Sequence, residues 1–259
     1  MMYTPTRKAI LAALATVALC FNLPALADDG NPLQIEADEL LEWDQTAGTY
    51  IARGAAVARQ GTTEINADSL TASYDPAAPS RRIQKIVAIG NVTYKAEGTS
   101  ATGAKLIYDI AGSTYLIEGK NAKINSPSGT MSATQDINYD ASDPANKIII
   151  ARGAALYRDA QNRIIAGERI VGFMDKDSAL QTLDAETNVK VVTVGGQTAT
   201  GDAVTYNYAT SKAVLTGNVE ILDGANIMRG GRAEVDFNSG ISRILSDGSG
   251  KRVSGVLGQ

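Results

Sequence analysis

The sequence contains no histidine, and its one cysteine, Cys20, falls in the apolar stretch near the start of the chain. Without these residue types there is no route to a Ser-His-Asp or Cys-His centre, a His- or Cys-ligated zinc site, a haem attachment site or a disulfide framework. Aromatic residues are scarce at 5%, so the places they occupy carry weight. Proline is scarce too, with 7 residues against 25 glycines, which suits many turns and few interruptions inside elements. Beyond residue 27 no apolar run approaches the ~20 residues of a membrane-spanning helix. What remains is globular in composition: 259 residues, 44% apolar and 20% charged.

Residues 1–27 read as a signal peptide. Arg7 and Lys8 precede an apolar run from Ala9 to Leu23, and Pro24 leads to the small-x-small site Ala25-Leu26-Ala27 just before Asp28. A retained membrane anchor is the competing reading; Leu19, where a small residue is expected, argues against lipid attachment at Cys20. Removing the leader takes two positive charges from a formal net charge of −4 and leaves −6. That sign suits neither nucleic acid nor an anionic membrane surface. The expected location is therefore an extracytoplasmic space, with no nucleic-acid partner, metal or cofactor.

After the leader, short alternating segments bounded by Gly, Asn, Asp and Pro recur to the end, the pattern of strands and turns. One strand of each unit ends at an aromatic: Trp43, Tyr74, Tyr108, Tyr139, Phe173, Tyr206 and Phe237, spaced by 31, 34, 31, 34, 33 and 31 residues. A near-constant period of this kind marks stacked supersecondary units. A second landmark follows each aromatic, at Gly54, Gly90, Gly119, Gly153, Thr187, Gly217 and Gly248, where glycine suits a bulge or bend. The expectation is an all-β ribbon of about fourteen antiparallel strands in seven repeats of about 32 residues, spanning residues 28–250, with 251–259 as a flexible tail.

Alternation assigns the apolar side. One parity of the first strands carries Leu41 with Trp43, Leu70 with Tyr74, Leu106 with Tyr108, Ile137 with Tyr139, Val171 with Phe173, Val204 with Tyr206, and Val235 with Phe237. Val92, Leu215 and Val219 continue it in the second strands. The opposite parity is polar, so the inner faces form one long apolar seam. Such residues pack as core where the ribbon is closed and line a groove where it is open.

The segment Leu33-Gln34-Ile35-Glu36-Ala37-Asp38-Glu39-Leu40, its echo Ile65-Asn66-Ala67-Asp68-Ser69-Leu70, and the closings Gly90-Asn91-Val92 and Gly217-Asn218-Val219 resemble the OstA-like family, to which the LptA-type periplasmic lipopolysaccharide transport proteins belong. The resemblance covers nearly the whole chain after the leader. It implies an open β-jellyroll in the periplasm whose groove holds the acyl chains of lipopolysaccharide in transit between membranes. The residues that would line it are Trp43, Leu70, Tyr74, Val92, Leu106, Tyr108, Tyr139, Phe173, Val204, Tyr206, Leu215, Val219, Val235 and Phe237. The implied partners are lipopolysaccharide, an inner-membrane LptC-like component and an outer-membrane LptD-like component, and the implied role is the bridge between them. Seven units are long for the family, so a lineage-specific extension and a fused second copy stand as alternatives.

Other readings compete. The chain could be the membrane-anchored partner, a secreted structural repeat protein, or an enzyme using converging carboxylates, with Asp38, Asp68, Asp202 and Asp236 as candidates. Those acids recur once per repeat, as strand-end turns do. Basic clusters at Arg81-Arg82-Lys85, Lys120 with Lys123, and Arg152-Arg158-Arg163 are either solvated loops or contacts for lipid phosphates. Finally, an open stack leaves two unpaired edges. Leu33 and Ile35 in the first strand, and Ile241, Ile244 and Leu245 in the last, are the expected contacts for head-to-tail homo-oligomers or for related partner domains.

Overall fold

A computed structural model describes residues 32–246, 248 and 252–258. The signal-peptide reading of residues 1–27, Cys20 included, lies outside the described residues. Eighteen strands, numbered here in chain order, account for the regular structure of the described residues. Ten are long: β3 (Thr49–Gln60), β4 (Thr63–Tyr74), β5 (Ile83–Ala96), β6 (Thr99–Asp109), β11 (Lys147–Asp159), β12 (Ile164–Met174), β13 (Leu180–Val192), β14 (Thr198–Asn207), β15 (Lys212–Asp223) and β16 (Asn226–Asp236). Eight are short: β1 (Gln34–Glu36), β2 (Leu40–Asp44), β7 (Thr114–Glu118), β8 (Ala122–Ser126), β9 (Gly129–Ala133), β10 (Asp136–Asp140), β17 (Ser242–Leu245) and β18 (Ser254–Val256).

All pairings are antiparallel, and they sort the strands into two layers. β3 pairs with β2 along one half of its length and with β1 along the other. β6 likewise takes β7 and β8, β11 takes β10 and β9, and β16 takes β17 and β18. The long strands cross from the layer of β2 (the lower) to that of β1 (the upper), and each layer is a ladder of fourteen strands. At ~4.8 Å per strand the stack is about 60 Å long. The fourteen passes expected from the repeat are present; four of them are divided in two, at residues 37–39, 119–121 and 134–135 and between β17 and β18, which makes eighteen strands.

The corner is built by the glycine landmarks. Register slips at Arg53/Ala56, Ile89/Val92, Arg152/Ala155, Glu186/Val189 and Thr216/Val219. The two residues skipped at each slip are in the left-handed region, as at Gly90 (φ 80°) with Asn91 (φ 46°) and Gly217 (φ 74°) with Asn218 (φ 47°). A bulge of this kind bends the strand and carries it into the other layer. A side chain could not replace the glycine: a Cβ on Gly90 would sit 2.1 Å from Asp68 Oδ2, and one on Gly217 2.3 Å from Asp202 Oδ2. Asn91 Nδ2 donates to Asp68 at 3.1 Å and Asn218 Nδ2 donates to Asp202 at 2.8 Å. The recurring Ala-Asp and Gly-Asn-Val pieces are thus two halves of one corner.

At the other end of each hairpin an Asp or Asn turns the chain. Asp44, Asp75, Asp109, Asp140, Asp175, Asn207 and Asp236 each accept a backbone N–H from two to four residues ahead. These turns set the inward register. Tyr74, Tyr108, Tyr139, Met174, Tyr206 and Val235 all stand directly before the turn residue and are buried. Phe173 stands one place earlier, so it points outward and is 39% exposed; the inner parity of β12 is Ile170, Gly172 and Met174. Phe237 follows the turn residue and is only half-buried.

Two boundaries also differ from expectation. The first strand, expected over residues 33–40, is divided into β1 and β2, with Leu33 just outside. Residues 254–256, expected in a flexible tail, form β18 against Ile227, Met228 and Arg229 of β16. Ile241 lies in the turn before β17 and is 51% exposed, while Ile244 packs against the core.

Candidate functional site

The interior between the layers is one continuous apolar cluster from Ala52 to Val235. Of the residues expected to line a groove, Leu70, Val92, Leu106, Tyr108, Tyr139, Val204, Tyr206, Leu215, Val219 and Val235 meet there, none more than 3% exposed, and Tyr74, 4% exposed, is buried beside Tyr50 at the end of the stack. They are brought together as a packed interior, with side chains of the two layers in contact. Phe173 is not part of it. Trp43 shares its face but sits on the edge strand β2, where nothing stacks beyond it, and is 43% exposed.

That end of the interior is open. Leu33 and Ile35 from the upper layer face Leu41, Tyr50, Ile83 and Arg81 from the lower one across a pocket of 390 Å³. Trp43 stacks on Tyr50 (centroids 5.6 Å, 13° between planes), donates from Nε1 to Tyr74 Oη at 2.9 Å, and carries the Arg81 guanidinium 4.9 Å above its ring. Leu41, on the inner face, is 58% exposed. Among the described residues, eight of the eleven exposed large apolar side chains lie at the two ends of the stack: Leu40, Leu41 and Trp43 at one, Ile241, Leu245, Val253, Val256 and Leu257 at the other.

Inward, aromatic rings join the layers. Tyr108 and Tyr115 stack at 4.1 Å with 6° between planes, Tyr94 of the upper layer meets Tyr115 edge-on at 6.2 Å, and Tyr139 lies 6.0 Å from Tyr115. Burial pushes the hydroxyls of Tyr94, Tyr115 and Tyr157 well above the ordinary tyrosine range. Tyr115 and Tyr157 were missed by counting one aromatic per repeat. Their signal is the alternation of the second strands, where Tyr115 with Ile117 and Ala155 with Tyr157 share a parity.

Farther along, the interior holds a charge pair. Asp159 and Arg163 flank the turn from β11 to β12, with side chains 4% and 13% exposed, and Arg163 Nε donates to Asp159 Oδ2. The guanidinium lies 6.0 Å from the Tyr206 centroid and 5.2 Å from that of Phe237, both at the opposite edge of the mouth. Burial opposes the Arg163 charge, but the Asp159 bond and carboxylate outweigh it and its pKa lies above the usual value. Ser242 Oγ donates to Gln197 Oε1 across the same mouth. Arg163 is therefore no solvated loop residue. Arg152, by contrast, makes a surface pair with Asp136 at 2.7 Å.

The acidic candidates for catalysis are distributed along the stack. Asp68 and Asp202 hold separate bulges, Asp236 accepts the N–H groups of Asn238 and Ser239 in its turn, and Asp38 donates its backbone N–H to Gly54 at 2.8 Å. The four acids stand at separate corners and turns, whereas glycoside hydrolysis requires two carboxylates flanking one bond.

The family model described as LptA/(LptD N-terminal domain) LPS transport protein matches twice, over residues 34–145 and again over 143–241. No curated protein matches the chain. Among solved structures, one similar chain is LptH, the LptA homologous periplasmic component of the lipopolysaccharide transport device of Pseudomonas aeruginosa. It is 22% identical, with a TM-score of 0.41 over 49% of this chain and 86% of that one.

Proposed function

The chain belongs to the LptA/LptD N-terminal domain family of lipopolysaccharide transport proteins, and from that premise we propose that it is a periplasmic bridge which carries lipopolysaccharide from the inner to the outer membrane. It is a transport protein of β-jellyroll fold and not an enzyme. The observation that carries the proposal is the single apolar seam running the length of fourteen stacked strands and opening at an end lined by Leu33, Ile35, Leu41, Tyr50 and Ile83. The lipid's acyl chains would occupy the inner face, among the groove residues named from sequence other than Phe173, which points outward. Burying a methylene is worth ~0.8 kcal/mol against water. A lipid leaving a membrane is already dry, so net transfer is close to balanced, as a conduit requires.

The ends support assembly. β17 runs from the mouth to the corner in the lower layer, and β2 runs from the corner to the mouth. A second copy stacked head to tail would place its β2 antiparallel to β17 and its β1 antiparallel to β18, so both ladders continue without a change of direction. LptC-like and LptD-like partner domains of the same repeat could dock on the same edges. A second reading, that this chain is the periplasmic part of an outer-membrane component, is favoured by the LptD N-terminal domain in the family description.

The test is extraction of the purified protein with organic solvent and mass spectrometry for lipid A. Co-purifying lipid A that falls at least severalfold in Leu41→Asp is expected. Absence of any amphiphile from wild type, with the protein folded, would refute carriage. For assembly, Ile244→Pro removes a backbone donor from β17; sedimentation and partner pull-down that match wild type would exclude this edge as the contact.

A further inference from the structure

We propose that Arg163 and Asp159 form a clasp across the mouth of the second half of the stack, which must release before an acyl chain can occupy β11 to β16. The proposal rests on lipid carriage and adds where the conduit is closed and by what. Arg163 and Asp159 belong to the turn at the upper rim, whereas Tyr206 and Phe237 close strands at the lower rim. The contacts of the guanidinium with both rings, at 6.0 and 5.2 Å, therefore span the opening instead of running along one layer. Gln197 at the upper rim and Ser242 at the lower one add a second tie farther along.

The chemistry of this tie differs from that of the core around it. Aliphatic side chains that separate can close again around an acyl chain, because one apolar contact replaces another. A guanidinium held on two ring faces loses those contacts outright when a chain slides between. Its bond to Asp159 travels with it, since both residues share one turn and Asp159 also accepts the backbone N–H groups of Gln161 and Arg163 at 2.9 Å. The pair is thus neutralised on its own rim and free to lift as a unit. The first half of the stack has no equivalent charge among its described interior residues; Tyr94, Tyr108, Tyr115 and Tyr139 join the layers there.

Spin labels on Ala160→Cys and Ala209→Cys, one on each rim, in a Cys20→Ser chain, report the width of the mouth. Purified lipid A is the probe, and its binding is scored separately by co-elution. The expected result is a distance that widens when lipid A is bound. In Arg163→Gln the mouth is wide without lipid, and loading is about tenfold faster, the scale of one lost interaction to a charged group. Co-elution of lipid A with an unchanged distance, or loading of Arg163→Gln at the wild-type rate, overturns the clasp and leaves carriage standing. No co-elution with either protein overturns both. Should Arg163→Gln fail to fold, Gln197→Cys with Ser242→Cys joined by a short bis-maleimide tests the same closure. Loading slowed about tenfold supports it on the same scale, and unchanged loading overturns it.

Discussion

The two halves of the stack share one backbone plan and differ in what fills it. From β1 to β10 the layers are joined by rings: the tyrosines at 94, 108 and 139 all contact Tyr115, and the alanines at 56, 58, 67, 72 and 88 are buried in the same half. From β11 to β16 the filling is mainly aliphatic, with Leu180, Leu183, Val189, Val191, Leu215 and Ile221 all buried, and the aromatic contacts move to the rim, where they meet Arg163. The lesson is that the repeat specifies corners and turns, while each half chooses its own means of joining the layers. One half therefore carries an aromatic column between its layers, and the other a polar tie at its rim.

The largest expected effect breaks that column. Tyr115 touches Tyr94, Tyr108 and Tyr139, so Tyr115→Ala removes one partner from three ring contacts and leaves a cavity no neighbour can fill. A loss of ~4 kcal/mol is expected in urea unfolding, against ~3 kcal/mol for Leu215→Ala in the aliphatic half. Equal losses, or a larger one for Leu215, would mean that the rings add nothing beyond their volume.

The second effect tests the polar tie as a matter of stability. Asp159→Asn leaves the guanidinium 13% exposed without its anion, and breaking a buried pair from one side costs about 3 kcal/mol. Asp136→Asn, which breaks a surface pair with Arg152 whose side chains are 21% and 40% exposed, is expected to cost under about 1 kcal/mol. Denaturation midpoints of the two variants should therefore differ clearly, and coincident midpoints would remove the distinction between the pairs.

How much of this could be read from the sequence follows from what each signal is made of. Period and parity are properties of the backbone, so the jellyroll, the fourteen passes and the glycine bulges were legible. The inward residues were legible wherever the aromatic stands beside its turn residue. Phe173 was misplaced because the period counts rings, while burial is set by the distance to Asp175; Met174 holds the inward place without being aromatic. The clasp was not legible, because Asp159 and Arg163 look like any turn pair until the lower rim folds over them. The tail was misread because β18 lacks aromatics and alternation and gains its place only by pairing with β16.

A smaller effect concerns the shared plan. Gly90→Ala places a Cβ against the Asp68 carboxylate at a backbone angle of φ 80°, and Gly217→Ala does the same against Asp202 at φ 74°. Each should lose ~2 kcal/mol from left-handed strain and displacement of the corner bond. Because the corner is common to both halves, the losses should agree with each other even though the interiors differ. A clear gap between the two would show that the corners are not equivalent.

The smallest expected effect has the opposite sign. Thr187 occupies the bulge position that Gly54, Gly90, Gly153 and Gly217 occupy elsewhere, and it does so at φ 64°, followed by Asn188 at φ 55°. A β-branched residue is poorly suited to that region, where glycine meets no steric cost. The strain is local to one corner of the second half, since Asn188 tolerates left-handed geometry by itself. Thr187→Gly should therefore raise stability by about 0.5–1 kcal/mol, the part of the relieved strain left after glycine's greater unfolded-state freedom is subtracted. Asn188→Gly, where less strain is stored, should change little. Urea midpoints measured side by side decide the matter: a destabilised Thr187→Gly would mean that the threonine side chain makes contacts worth more than its backbone strain, and that this corner is held differently from the rest.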